Sequence, residues 1–167
     1  MAYIIKYLRV LIHDNPSTST IFTDNELQNF LDIDRQRINR EPLTPEINNL
    51  NYYSRFKFIE DSVKVYDGID SGSTEYTSSL ATLSTTNLIN GEFTFNSDPE
   101  IEVYLDGYYY DMNMAASYAM TSLSTDETRA NSWSRGGVSF NHYSLPMLAD
   151  LFKRQGLMKT MTVRRSY

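Results

Sequence analysis

The sequence predicts an α+β fold: a mainly helical core of about four helices carrying an inserted antiparallel β-hairpin or small sheet. Helical spacing of apolar residues near both ends is the first sign, because a helix that buries one face repeats its apolar positions every turn. A switch to period two between about residues 53 and 105 is the second, since alternate strand residues face opposite sides of a sheet. The third is a stripe of small apolar residues after Asp111, which marks a close-packed central helix. At 167 residues the chain can bury a sizeable core, and one domain spanning 1–167 is expected.

The first helix is expected over about 3–13. Ile4, Tyr7, Leu8 and Leu11 fall at i, i+3, i+4 and i+7, and Ile5 and Ile12 widen the stripe. Asp14-Asn15-Pro16 ends it, because the residue before a proline is pushed out of helical backbone. A polar loop, Ser17 to Thr20, follows. The second helix is expected over about 24–38. Thr23 can cap it while Glu26, three residues on, reaches back to complete a capping box. Leu27, Phe30 and Leu31 give it a buried face. Asp24 and Glu26 stand at the positive end of its dipole, Arg35 and Arg37 at the negative end. Thr44-Pro45 could open a further short helix, although INNLNYY after it is poor helix sequence.

From Tyr53 the β insertion is expected, over about 53–105. YYSRFKFIEDSVKVYDG reads as a hairpin with Phe56 and Phe58 on one face and Val63 and Val65 opposite. The Ser/Thr-rich SGSTEYTSSLATLSTTN has weak patterning and reads as a long surface loop. GEFTFNSDPEIEVYLDG supplies two more short strands, around Phe93–Phe95 and Ile101–Leu105.

GYYYDMNMAASYAM then sets bulky residues beside small ones. Over 111–124 Met112, Ala115, Ala116, Ala119, Met120 and Leu123 share one helical stripe, with Asp111 as its cap. Alanines let a neighbouring helix approach closely and methionines fill irregular gaps, so these residues are the expected core. The preceding tyrosines bring apolar faces with wettable tips to the start of that helix. In NSWSRGGVSF, Gly136-Gly137 favours a tight turn flanked by Trp133 and Phe140. The last helix is expected over about 145–155, capped by Ser144, stopped at Gly156, with Leu148, Leu151 and Phe152 inward. Residues 157–167 form a C-terminal tail.

Composition narrows the function classes. There is no cysteine, which excludes disulfides, thiol nucleophiles and thiolate metal sites and fits a reducing compartment. Lys6 and Arg9 interrupt the apolar N-terminus, so neither a signal peptide nor a membrane span is expected. A net charge of −6 repels phosphate, which disfavours tight wrapping around DNA but suits a surface past which DNA slides. The last nine residues, KTMTVRRSY, depart from this: they carry Lys159, Arg164 and Arg165 and no acid.

No catalytic, cofactor-binding or metal site is expected. His13 and His142 lack a second ligand at metal spacing, and Asp32 and Asp34 point to different helix faces. Asp67-Gly68-Ile69-Asp70-Ser71-Gly72 lacks the alternating acids and closing glutamate of a calcium loop and reads as a solvated turn. Arg135-Gly136-Gly137 is a weak anion signal against a hairpin turn. YYSRFKF interleaves aromatics with bases as a base-stacking surface does, but a buried sheet face explains Phe56 and Phe58 more simply. The basic end fits either a solvated terminus or a tail that docks on a partner's sheet edge or acidic groove.

LRVLIHD, FTDNELQNFLD, GEFTF…VYLDGYYYDMNMAASYAM and SWSRGGVSFNHYSLPMLADLFKRQG with a terminal VRRS, taken in order, resemble the head-to-tail adaptor (connector) proteins of long-tailed bacteriophages. The resemblance covers most of the chain, and none of its motifs is catalytic. It implies a non-enzymatic virion protein of the neck, made in the host cytoplasm. It further implies a ring, typically of twelve copies, between the portal protein and the stopper or tail, through which genomic DNA passes without sequence-specific binding. It implies that the C-terminal segment, here Lys159, Arg164, Arg165 and Tyr167, docks on the portal. The Ser/Thr-rich 71–90 stretch departs from the family pattern. A neck stopper or tail-completion protein, or a small nucleic-acid-binding module, are the alternatives.

Overall fold

The computed structural model describes residues 2–14, 21–47, 50–68, 72, 74–76, 83–99, 102–126, 129–130, 134–135, 138–139 and 144–164, with the backbone alone at 76, 134–135, 138–139 and 159–164. The chain forms two compact units: Met1–Asp34 with Asp111–Tyr167, which is helical, and Arg35–Tyr110, which is β. The expected mainly helical core with one small hairpin is therefore corrected. The middle of the chain builds two four-stranded antiparallel sheets with their own core.

Among the described residues the helical unit carries the helices α1 (Ala2–Ile12), α2 (Asp24–Ile33), α3 (Met112–Ser124) and α4 (Leu145–Arg164). Helix α3 packs against the other three. Ile4, Leu8 and Ile12 form the buried stripe of α1, while Tyr7 lies largely exposed. The capping box of α2 is present: Thr23 Oγ1 accepts from the Glu26 N–H at 3.2 Å, and the Thr23 N–H donates to Glu26 Oε2 at 2.8 Å. Asp111 Oδ1 accepts from the N–H groups of Asn113 and Met114 at 2.9 and 3.1 Å, satisfying two orphan donors at the start of α3. Among the described residues no helix is long and apolar enough to cross a membrane.

Two helix boundaries differ from expectation. Helix α2 stops at Ile33 rather than about 38, because Asp34 leaves helical backbone and residues 35–42 hydrogen-bond as a strand instead. Helix α4 does not stop at Gly156. It continues to Arg164, so much of the expected tail is helix. Its buried stripe is Leu145, Ala149, Phe152 and Gly156, at i, i+4, i+7 and i+11. Leu151, expected inward, is 49% exposed on the far side.

The β unit contains β1 (Arg35–Pro42), β2 (Thr44–Pro45), β3 (Asn51–Tyr53), β4 (Lys64–Tyr66), β5 (Glu75–Tyr76), β6 (Leu83–Asn87), β7 (Glu92–Phe95) and β8 (Tyr104–Tyr110). One sheet runs β1-β8-β4-β5 and the other β2-β3-β7-β6. Ile38, Leu43, Tyr52, Ile59, Val65, Phe93, Phe95, Val103 and Leu105 fill the core that both sheets share. Strands β9 (Ser134–Arg135) and β10 (Val138–Ser139) pair antiparallel in the other unit, and the expected turn at Gly136-Gly137 lies outside the described residues.

Several expected β features are replaced. The insertion spans 35–110 rather than 53–105. Thr44-Pro45 is a strand paired with Tyr52 and Tyr53, not a helix start. The hairpin expected from Tyr53 to Gly68 does not form, since β3 and β4 belong to different sheets. Phe58 is the cause: it takes a left-handed backbone (φ 55°), and its N–H and C=O bond to Ile89 and Tyr110. Strands β5 and β6 occupy described parts of the expected 71–90 loop.

Candidate functional site

The predicted core residues lie together on α3: Met112, Ala115, Ala116, Ala119, Met120 and Leu123 are all buried. Sequence reading missed the partner of that spine. A β-carbon built on Gly156 would stand 2.9 Å from Met114 Cγ and 3.2 Å from Asp111 Oδ2, so α4 crosses the start of α3 there at glycine-only distance. Glycine in a helix interior costs about 1 kcal/mol relative to alanine, and the close packing of the crossing offsets it. The signal was available as a lone glycine inside an otherwise helical pattern.

This crossing decides what becomes of the basic end. Because α4 runs through Gly156, Lys159 and Arg164 ride on its last turns as continuous helix, although their side chains lie outside the described residues. Arg165 and Tyr167 lie outside them altogether. Positive charge there is favourable, since unsatisfied carbonyls make a helix C-terminus partly negative.

A second constellation ties α1 to α2. Arg9, 8% exposed, donates to Asp14, to the Phe22 carbonyl at 2.8 Å and to Asp24 Oδ1 at 2.7 Å. Asp14 Oδ1 also accepts from the Ile21 N–H at 2.8 Å, so its buried carboxylate is compensated on both oxygens. An open groove of about 580 Å³ beside it is lined by Ala2, Ile5, Lys6, Arg9, Phe22, Thr23, Asp24 and Asn25. Its Arg9 is committed to carboxylates, and its Thr23 hydroxyl is held in the cap between the Glu26 N–H and the Glu26 carboxylate. Arg129 closes the same unit from the other side, donating to Glu26 Oε1 at 2.7 Å. That bond, then the Thr23 N–H, pulls Glu26 down from 4.5 to about 2.

In the β unit four bases have internal partners. Arg35 pairs with Glu60, Arg55 with Glu41 and Lys64 with Glu75. Arg40, in a left-handed bulge conformation, donates to the Gly68 carbonyl and lies 3.5 Å over the Tyr66 ring. The aromatic-basic interleaving of YYSRFKF is likewise internal: Arg55 covers Phe56, and Phe56 stacks on Tyr109 with centroids 4.4 Å apart. Twelve acids stand against six bases between 35 and 110, so this unit carries the whole net negative charge.

The remaining candidates are mundane where they can be described. His13 sits in left-handed backbone just after α1, its N–H on the Val10 carbonyl. Asp32 accepts from Gln28, and Asp34 ends α2. Asp67 closes a turn with Thr74. His142, Asp70, Ser71, Trp133, Gly136, Gly137 and Phe140 lie outside the described residues. Among those described, no group of three or more His, Asp or Glu side chains is placed to hold a metal. No protein-family model, curated protein or solved structure matches the chain.

Proposed function

We propose that this chain is a structural subunit of a phage neck, a head-to-tail adaptor that rings the exit of the portal and extends the DNA channel towards the stopper or tail. The observation that carries the reading is the run of α4 past its crossing with α3 into the basic end of the chain. A rigid helix delivers Lys159 and Arg164 to a partner at less entropic cost than a loose tail would. Support also comes from the β unit, which carries twelve acids against six bases and would face DNA without holding it. The segment of partner contacted is the portal; the DNA contact is sequence-independent. Gold labelling of a tagged copy in intact virions tests this: label at the neck agrees, label on the capsid shell or tail tip contradicts it.

The two-sheet β unit favours one second reading, a neck stopper or tail-completion protein, since stoppers are dominated by β structure. Cross-linking in virions separates them, because an adaptor links to the portal and a stopper to the adaptor and tail.

A further inference from the structure

Each four-stranded sheet has two outer strands, and among the described residues three of those four edges are blunted. Strand β1 carries Arg35, Arg37 and Glu41, is bulged between Ile38 and Glu41, and ends on Pro42. Strand β2 is two residues long, one of them Pro45, and β5 is two residues long and begins on Glu75. Charge, bulges, proline and shortness keep a sheet edge from adding a further strand. Strand β6 has the least such protection. Leu83–Asn87 is five residues long with no charge and no proline, and its one bulge lies at its start, between Leu83 and Thr85. Ser84, Thr85, Thr86 and Asn87 are all exposed.

The backbone directions on that edge follow from one bond. The Phe95 N–H donates to the Leu50 carbonyl at 2.8 Å, so Phe95, and Phe93 two residues before it, turn their backbone groups towards β3. Glu92 and Thr94 turn theirs towards β6, where they stand opposite Asn87 and Thr85. Thr86, between those two, therefore points its N–H and C=O away from the sheet. Its side chain stands opposite the buried Phe93, on the core face that Leu83 also packs against. The other face of the edge is acidic: the Glu92 carboxylate accepts from Asn87 at 3.0 Å and from Asn90 at 3.4 Å, and pairs with no base among the described residues.

We infer that β6 takes up an extended segment of a partner protein as an added antiparallel strand, with apolar and basic residues alternating along it. Every described pairing in both sheets is antiparallel, and Thr86 offers the donor and acceptor that such a strand needs. Apolar side chains of the segment cover Leu83 and Thr86 at the margin of the core, and basic ones on the other face meet Glu92. A second copy's β6 matches neither face, because Leu83-Ser84-Thr85-Thr86-Asn87 has no base and a single apolar side chain. This site lies in the β unit and goes beyond the docking of the C-terminal end of α4.

Fluorescence anisotropy on the full chain tests it with a labelled, end-capped heptapeptide of alternating valine and lysine. Saturable binding is expected. Methylating the valine nitrogens keeps the charge but removes the donor that reaches Thr86, and should weaken binding about tenfold. Thr86→Pro removes the outward N–H, a change an edge strand tolerates, and should weaken it about as much. Glu92→Gln should weaken it less and lessen its dependence on salt. No binding, or equal binding of the methylated peptide, overturns the inference; the second result is what charge attraction alone gives. Circular dichroism checks the fold of Thr86→Pro, and if that fold is lost the methylated peptide decides. A chain that dimerises in sedimentation, and stops doing so with Thr86→Pro, gives the edge to a second copy and overturns the inference as well. None of these results bears on where the chain sits in a virion, so the proposed function fails or stands separately.

Discussion

Gly156 on α4 meets Met114 on α3 so closely that a β-carbon on the glycine would come within 2.9 Å of Met114 Cγ. The contact fixes where the last helix crosses the central one, and so where the basic end of the chain emerges on a helix.

Substitution at that crossing sets two effects against each other. Alanine would gain about 1 kcal/mol in helix propensity but already sets its β-carbon 2.9 Å from Met114 Cγ, and a larger side chain overpacks the contact at about 1–3 kcal/mol. Gly156→Leu should therefore lower stability by about 1–3 kcal/mol in urea unfolding. Met114→Ala in the same chain should return part of the loss by opening space. Unchanged stability in Gly156→Leu would mean the helices do not cross there.

The Arg9–Asp14 pair predicts an asymmetry. Asp14 is 1% exposed, so Arg9→Met leaves a buried carboxylate without its cation and should cost about 3–5 kcal/mol. Asp14→Asn leaves Arg9 bonded to Asp24 and the Phe22 carbonyl and should cost less, about 1–3 kcal/mol. Equal losses, measured by chemical denaturation, would contradict the network.

Glu26 gives a pH dependence. Its folded value near 2 lies below the ordinary 4.5, so its contribution is complete above about pH 4.5 and is lost as pH falls towards 2. Both partners are partly exposed, with side chains 33% and 41% accessible, and solvent screening limits the effect to about 1 kcal/mol. Glu26→Gln should flatten that part of the acid limb in a series of thermal melts, and Arg129→Met should do the same. A curve unaltered by both would remove the ion pair from the account.

Electrostatics predicts behaviour towards DNA. The isolated chain should bind duplex DNA more weakly than the roughly 10⁻⁶–10⁻⁴ M of ordinary non-specific binders at physiological salt. Filter binding that is tight and steeply salt-dependent would instead support the nucleic-acid-binding alternative.

The helical half was the more legible in sequence. Thr23 and Glu26 mark the start of α2, Asp111 the start of α3, and both caps form with the expected bonds. The failures have local causes. Arg35–Pro42 carries charge along an edge strand in which Ile38 is the fully buried residue, so neither period shows, and its arginines mimic a helix end. Ser84 to Asn87 lie exposed on the outer strand of their sheet, so β6 has almost no apolar alternation to read. Gly156 signals a stop in isolation, and only the facing Met114 makes it a crossing. Of the expected docking residues, Lys159 and Arg164 are placed on α4 by their backbone, and the sequence alone carries their charge.

Co-sedimentation with purified portal rings tests the central claim most directly. The full chain should pellet with the rings, and a chain lacking residues 159–167 should stay folded, losing only the last turns of α4, and remain in the supernatant. Undiminished pelleting of the shortened chain, or failure of the full chain to pellet, would contradict the assignment of the C-terminal end of α4 as the docking element.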